Sequence, residues 1–142
     1  MRLTFAVLSE IGIIAQLSAT AFEKAMPGWS VAHFGVVRHL MRRGGSATPL
    51  DLARAFQQPK TTMTHTLQVL EKRGLISFAP NPHDGRSKLA QLTEAGRAWH
   101  EAAMAQALRD QHALHERLPP GTLEVLADHL PQLRAVMDAM RD

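Results

Sequence analysis

Apolar residues recur at three- and four-residue steps along most of this chain, which is the spacing of helices that bury one face. The first such segment covers residues 3–24 and ends at the Pro-Gly pair at 27–28. A second helix is predicted after Ser30, whose side chain can cap it, and it stops at the glycine pair at 44–45. The amino-terminal part of the chain is therefore expected to form two amphipathic helices.

Two shorter helices are predicted next. Thr48 is a helix cap followed directly by proline, which favours a third helix through about Phe56. Pro59 opens a fourth helix, which ends at Gly74 with basic residues in its last turn. Two helices separated by so few residues are typical of a helix-turn-helix motif.

The pattern then changes to short apolar runs on either side of a turn. Residues 75–79 and 89–93 are predicted strands, and residues 80–88 form a basic loop between them. The Asp-Gly pair at 84–85 is a hairpin signal, and Arg86 and Lys88 follow it at once. A helix that runs into a basic hairpin is the core of a winged helix-turn-helix.

Helical periodicity returns after the second strand. Thr93 is expected to cap a long fifth helix that ends near Glu116. The Pro-Pro-Gly run at 119–121 separates it from a sixth helix, which Pro131 should kink. The expected fold class is mainly α with a small β-hairpin wing.

Positive charge is concentrated on the winged segment. Residues 35–91 hold nine Lys or Arg against three acidic residues, whereas residues 92–142 hold five Arg against eight acidic residues. This distribution favours a polyanionic partner more than the overall net charge of +3 does. The chain has no cysteine, which excludes disulfides and thiolate metal sites.

The fourth helix has one apolar face, formed by Met63, Leu67 and Leu70, and an opposite face that is polar. Hydroxyl, amide and imidazole groups can bond to base edges, and lysines can reach phosphates. An ordinary solvated face is the alternative, but the basic wing beside it favours DNA. The predicted DNA-binding residues are Lys60, Thr61, Thr62, Thr64, His65, Gln68 and Lys72 on the helix and Asp84, Arg86 and Lys88 on the wing.

These segments resemble the MarR family of bacterial transcription regulators. The matching stretches are Leu52-Ala53, residues 60–64, residues 70–76, and the Asp84-Gly85-Arg86 wing followed by residues 92–97. Two positions differ from the family pattern. Pro59 stands where relatives often have a serine cap, and His65 stands where many have arginine, so the operator preference does not transfer.

The resemblance implies a single MarR-like domain over residues 1–142. Residues 1–28 and 93–142 would be dimerisation helices, and residues 30–92 would be the winged helix-turn-helix lobe. Such a protein would be a cytoplasmic homodimer that binds a palindromic operator, represses nearby genes and releases DNA when a small aromatic or anionic ligand binds. We expect no enzymatic activity, no cofactor and no resident metal.

The first and last helices give an independent reason to expect a dimer. Both are rich in apolar residues that a small winged lobe cannot cover, and a two-fold dimer is the commonest way to bury them. An intrachain helical bundle is the alternative. The predicted dimerisation residues are Leu3, Val7, Ile11, Ile14, Leu123, Leu126 and Leu130.

Aromatic and histidine residues gather around the start of the second helix, close to the ligand crevice of the resembling fold. They can hold a small aromatic acid or simply form a packed hinge between lobes. The residues concerned are Phe22, Met26, Trp29, His33 and His39.

Other interpretations have less support. His112, His115 and Glu116 have helical spacing suited to a metal, although exposed helix histidines explain them better. Residues 1–22 imitate a signal peptide, and no apolar run is expected to reach the length of a membrane span. The absence of tyrosine and of a stacking platform disfavours RNA. A winged-helix module that binds another protein is the main alternative function.

Overall fold

The computed structural model describes residues 1–140, which form six helices and a small antiparallel sheet. The predicted fold class, mainly α with a small wing, is confirmed, and the helix positions agree with the sequence pattern to within a few residues. The elements are α1 (Arg2–Ala25), α2 (Val31–Arg42), β1 (Ser46–Ala47), α3 (Pro49–Ala55), α4 (Lys60–Lys72), β2 (Ile76–Pro80), β3 (Lys88–Leu92), α5 (Glu94–Arg117) and α6 (Thr122–Ala139).

Two compact units divide the chain after Gln106. The first unit contains α1 to α4, the sheet and the beginning of α5, and the second contains the rest of α5 and α6. The sequence analysis placed its boundaries at residues 28–30 and 92–93 instead. Its division into dimerisation helices and DNA lobe remains a prediction.

One apolar core holds the first unit together. It is built from the inward faces of α2, α3 and α4 and from the start of β2 and the end of β3. Burying one Leu or Ile side chain contributes ~2 kcal/mol, so this cluster is the main source of stability. Its members are Val36, Val37, Leu40, Leu52, Ala53, Met63, Leu67, Leu70, Leu75, Ile76, Ala90 and Leu92.

The sheet has three strands in the order β1-β3-β2, so the hairpin strand β3 is central. Ile76 pairs with Leu92 and Phe78 with Ala90, which places both hairpin strands one residue away from the predicted ranges. The sequence analysis missed β1, because two residues carry no periodicity. This strand pairs Ser46 with Gln91 and attaches the α2–α3 connection to the wing.

Thr93 joins the wing to two helices. Its hydroxyl lies 2.6 Å from the Gly74 carbonyl oxygen and 3.0 Å from that of Leu75, and its Oγ1 accepts the Gly96 amide at 3.0 Å. The hydroxyl therefore caps α5 as predicted and also ties its start to the segment that follows α4.

Gly96 allows α5 to lie directly against that segment. A Cβ atom at this position would clash with the Leu75 carbonyl oxygen and would lie 2.7 Å from Leu92 Cδ1. Only hydrogen fits in this space, so the close approach of helix and strand depends on glycine.

The predicted caps of α2 and α3 are present. Ser30 Oγ accepts the His33 amide at 3.4 Å, and Thr48 Oγ1 accepts the Asp51 amide at 3.1 Å. Pro59 is the residue before α4 rather than its first residue. Leu50, an apolar residue at the first turn of α3, is 45% exposed and does not join the core.

Helices α1 and α6 expose most of their apolar residues. Neither contributes a buried residue among the positions that the structure describes, and Leu3 is 77% exposed. Helix α6 continues through Pro131, which leaves the carbonyl of Ala127 without its helical donor. Both helices therefore need a cover that a single chain does not provide.

Helix α1 also passes a test of length and composition for crossing a membrane. The prediction that no apolar segment reaches this length is therefore wrong, because Ser9 and Glu10 interrupt the run without lowering its average hydropathy enough. A signal sequence passes the same test, so the length and composition of α1 are weak evidence for a membrane span.

We predict that Gly96→Ala destabilises the protein by ~2 kcal/mol, because the added methyl group must push α5 away from the Leu75 carbonyl. Chemical denaturation followed by circular dichroism measures this change. The matched control is Gly12→Ala, a helical glycine with no atom within 4 Å of the added carbon. It should raise stability by up to ~1 kcal/mol. Equal effects of the two substitutions would contradict the proposed close contact.

Candidate nucleic-acid interface

The polar face of α4 is open to solvent. Met63, Leu67 and Leu70 are buried as predicted, and Thr66 is buried beside them. The seven helix residues predicted to contact DNA are all exposed: Lys60, Thr61, Thr62, Thr64, His65, Gln68 and Lys72. Of the three threonines in this set, Thr64 already donates its Oγ1 hydroxyl to the Lys60 carbonyl, at 2.8 Å.

A tight turn sets the angle between α3 and α4. Gln57 adopts a left-handed backbone conformation with φ 53°, which is uncommon for a residue with a side chain. The Gln58 amide donates to the Ala53 carbonyl at 2.9 Å, so the turn closes the end of α3 before α4 begins. The helix-turn-helix is thus fixed by backbone hydrogen bonds on one side and by the shared core on the other.

The wing loop consists of two successive turns over residues 81–87. The Asp84 amide donates to the Asn81 carbonyl at 3.3 Å, and the Ser87 amide donates to the Asp84 carbonyl at 3.1 Å. Asn81 Nδ2 also donates to Ser87 Oγ at 2.9 Å, across the base of the loop. Gly85 has no positive φ, so the Asp-Gly pair is not the two-residue hairpin turn that it suggested.

Asp84 shapes this loop. Its Oδ1 accepts the backbone amide of Arg86 at 3.0 Å, which turns the chain at the wing tip. The carboxylate is therefore engaged within the loop, while the side chains of Arg86 and Lys88 are exposed. Geometry gives Asp84 a role in holding the wing and leaves the two cations to reach outward.

A cavity of about 720 Å³ lies between α4, the first turn of α3 and the wing. Its wall brings together Lys60, Thr64 and Gln68 of α4 with Asp84, Arg86 and Lys88 of the wing. Helix and wing residues at least 16 positions apart in sequence thus share one concave surface. The exposed Leu50 lies on the same wall, and the sequence analysis missed it because an isolated leucine at a helix start looks like a core residue.

A second cluster of side chains is aromatic. The Trp29 ring lies 4.8 Å from that of Trp99 and 5.5 Å from that of His33, centroid to centroid. Phe34 lies 5.4 Å from Phe22 and extends the cluster. We define the aromatic cluster by the residues that these ring contacts connect, namely Phe22, Trp29, His33, Phe34, Trp99 and His100.

This cluster only partly matches the predicted effector residues. His39 contacts Phe56 instead, at 5.5 Å, and so does not belong to it. Met26 is half-buried in the α1–α2 connection. The sequence analysis missed three members of the cluster. Phe34 has the spacing of the apolar face of α2, and Trp99 and His100 lie on α5, far from the start of α2 in sequence. The indole Nε1 of Trp99 and the Nε2 of His100 are buried without a hydrogen-bond partner among the described residues.

His33 is held as a neutral ring by its position in α2. Its Nδ1 accepts the Ser30 amide at 3.0 Å, so it serves as the return partner in a capping box. Burial, followed by the charges of Arg73 and His65, holds the pKa of His33 below its ordinary value. Burial also lowers the pKa of His39, with help from Arg43, and that of His100, with help from Arg38.

The remaining predicted residues lie on exposed surfaces. Within α1, Leu3, Val7 and Ile14 are exposed and Ile11 is half-buried. Within α6, Leu126 and Leu130 are exposed and Leu123 is half-buried.

The histidines of α5 were considered as metal ligands. His112 Nε2 lies 3.4 Å from Glu116 Oε1, and both side chains are largely exposed. Within residues 1–140, no group of three or more His, Asp or Glu side chains is placed to hold a metal ion.

Comparison with known proteins agrees with this arrangement. A sequence model of the MarR family matches residues 28–87, which contain α2 to α4 and most of the wing. The fold is similar to that of a mutant MarR from E. coli complexed with operator DNA, with a TM-score of 0.78 and 24% identity over 90% of this chain and 93% of that chain. Over residues 28–87 the chain is therefore similar to the MarR family, and its fold is shared with solved MarR-type regulators.

Two further structures show the same fold. A probable transcriptional regulator from Pseudomonas aeruginosa has a TM-score of 0.71 and 26% identity, covering 89% of this chain and 98% of that one. The organohalide-sensing regulator RdhR in its 2,4-dichlorophenol-bound form has a TM-score of 0.83 and 20% identity, covering 95% and 81%. No curated protein matches the chain significantly. The matched segment and the winged-helix fold support a DNA-binding transcription regulator.

We predict that the stability of this protein falls as the pH is lowered through about 6.5, because unfolding releases neutral, partly buried histidines that then bind protons. The loss should be complete below the lowered pKa values of the folded state. His33→Gln should make stability less dependent on pH, since glutamine can keep the capping box without titrating. Denaturation curves between about pH 5 and pH 8 measure this. An unchanged dependence in the variant would remove His33 as a contributor.

Proposed function

We propose that this protein is a sequence-specific repressor that binds a palindromic duplex operator as a homodimer and is released by a small aromatic or anionic ligand. The observation that carries the DNA part is the cavity that α4 shares with the wing. Its lining combines neutral hydrogen-bonding side chains, such as Thr64 and Gln68, with lysine and arginine side chains. That combination suits base edges in the centre and phosphates at the sides.

The exposed residues of α4, some of them outside the cavity, and those of the wing would divide the work. Thr61, His65 and Gln68 would face base edges, since hydroxyl, imidazole and amide groups can read the major groove. Lys60 and Lys72 would contact phosphates and contribute affinity without sequence preference. Arg86 at the wing tip would enter the adjacent minor groove, where a narrow electronegative groove attracts arginine.

The surface is not uniformly positive. Asp51 and Glu71 line the same cavity as Lys60 and the two wing cations. Carboxylates repel phosphates, so they restrict how the duplex can lie and disfavour binding in wrong orientations. Such a surface supports selective more than tight nonspecific binding.

A homodimer would cover the two helices that a single chain leaves exposed. Helices α1 and α6 each present a row of leucine, isoleucine or valine to solvent. Exposed apolar surface of this extent on a soluble chain marks an interaction surface, and a second copy of the chain is the simplest partner. Two α4 helices related by a two-fold axis would then read two half-sites.

The aromatic cluster supports a ligand-responsive regulator. It offers ring faces and two unpaired buried N–H or N groups, which are the recognition elements of a small aromatic compound. RdhR, a structural neighbour, is described in complex with 2,4-dichlorophenol. A regulator of this kind acts where the DNA is, so we place it in the cytoplasm without enzymatic activity.

The function is tested by selecting duplexes from a random pool with the purified protein. A palindrome with half-sites about one helical turn apart, and an affinity that falls steeply with salt, is the expected result. Selection with His65→Ala should relax the preference at one position in each half-site. Weak binding with little salt dependence and no enriched sequence would favour a protein-docking module instead.

We predict that Arg86→Ala weakens operator binding about tenfold, because a charge-assisted contact at the wing is lost. Electrophoretic mobility or anisotropy titration measures the affinity. Arg86→Lys should recover only part of the loss, since lysine keeps the charge but not the planar fork. Arg2→Ala removes the same charge outside the cavity and is the control. Equal losses for Arg2→Ala and Arg86→Ala would reduce the effect of the wing to net charge.

We predict that Leu126→Glu converts the dimer to monomers at micromolar concentration, because the interface would have to bury an unpaired carboxylate. Light scattering coupled to size exclusion measures the mass. Ala135→Glu introduces the same charge on the opposite side of α6 by helical periodicity and should leave the dimer intact. A dimer that survives Leu126→Glu would place the interface elsewhere.

A further inference from the structure

The end of the recognition helix α4 is tied to a distant part of the same unit by one side chain. Arg73 directly follows the last residue of α4. Its Nη1 donates to the Gly28 carbonyl oxygen at 2.5 Å, and its guanidinium carbon lies 4.3 Å from the centroid of the Trp29 ring. Gly28 and Trp29 form the connection between α1 and α2. We call these two contacts the Arg73 clasp.

The clasp connects α4 with the aromatic cluster. Trp29 packs at a tilted angle against Trp99 of α5 and makes a T-shaped contact with His33 of α2. Any movement of the Trp29 ring therefore changes the position of the aromatic face that the Arg73 guanidinium contacts. Gly28 contributes too, because its carbonyl accepts the Arg73 guanidinium while its backbone adopts the left-handed φ of +81° that favours glycine.

At the opposite end, α4 is joined to α3 by the backbone turn at residues 57–58, and no side chain of the described residues caps its first turn. The residue before the helix is Pro59, whose ring carries no hydrogen-bonding group. Along its length, α4 is held by apolar contacts of Met63, Leu67 and Leu70, which fix its depth but have little directional preference. The directional contacts of Arg73 at the carboxyl end therefore add to the α3–α4 turn and the Thr93 contacts in restricting how the polar face is aimed.

We propose, building on the DNA-binding function above, that Arg73 is a positioning residue for operator recognition. It would not act by contacting DNA but by holding α4 against the α1–α2 connection through Gly28 and Trp29. Loosening the clasp widens the range of orientations of α4, which harms base contacts that need an exact fit and spares phosphate contacts that tolerate movement. The same contact gives the aromatic cluster a direct mechanical link to the reading surface.

A double-mutant cycle on operator affinity tests this. Arg73→Met and Trp29→Leu should each weaken binding to the selected operator roughly two- to fivefold, the range of an exposed cation–π contact. The double variant should be no weaker than either single one, because both remove the same contact. Binding to a random duplex and its salt dependence should stay the same in all three.

Lys72→Met is the matched control, because it removes a neighbouring cation that is not part of the clasp. It should weaken operator and random duplex alike, lower the salt slope by about one, and add to the effect of Trp29→Leu. If Arg73→Met behaves in this way too, Arg73 is a phosphate contact and the proposal is wrong. Trp29→Phe, which keeps an aromatic ring, replaces Trp29→Leu if the latter does not fold.

Failure of the function and failure of the inference are distinguishable. A wild-type protein that selects no sequence would overturn the proposed function and, with it, any role of Arg73 in recognition. A wild-type protein that selects an operator, together with additive losses in the cycle, would overturn the positioning role alone.

Discussion

The arrangement of this molecule depends on the close approach of α5 to the strand that follows α4. Gly96 has no side chain, so the first turn of α5 lies against the Leu75 backbone. The Thr93 hydroxyl then reaches the Gly74 and Leu75 carbonyls while capping α5. One short stretch thus fixes the end of the recognition helix, the base of the wing and the start of the long helix together. A larger residue at position 96 would separate all three.

From this junction the reading surface follows as a consequence of geometry. Helix α4 ends at the junction, and both wing strands begin or end there, so the polar face of α4 and the wing tip point to the same side and enclose one cavity. Each part is weak alone. The helix supplies neutral hydrogen-bonding groups, whereas the wing supplies Arg86 and Lys88, and recognition of a duplex needs both at once.

The first unit also contains a second structural system, the aromatic cluster, that lies apart from the cavity in sequence but meets α4 through Arg73. Burial lowers the pKa of His33, and the buried Trp99 Nε1 and His100 Nε2 have no hydrogen-bond partner among the described residues. Polar groups kept in that state have free energy to gain from a suitable ligand. In the proposed regulator, Arg73 would connect a ligand bound at this cluster with the surface proposed to read DNA.

The sequence alone determined much of this protein. The 3.6-residue and two-residue periods predicted the six helices of the described residues, and the caps at Ser30, Thr48 and Thr93 are local interactions that a sequence pattern can show. The inward residues Met63, Leu67 and Leu70 and the exposed polar face of α4 also follow from helical periodicity.

The tertiary structure decided what depends on contacts between distant segments. Strand β1 is too short to have a period and exists because β3 offers it a partner. Leu50 is exposed on the wall of the cavity between α3 and the wing. His39 does not belong to the aromatic cluster, because it lies on the side of α2 that contacts Phe56. Trp99 and His100 enter that cluster from a helix some 70 residues away from Trp29. Periodicity fixes which side of an element is apolar, whereas only packing selects what that side meets.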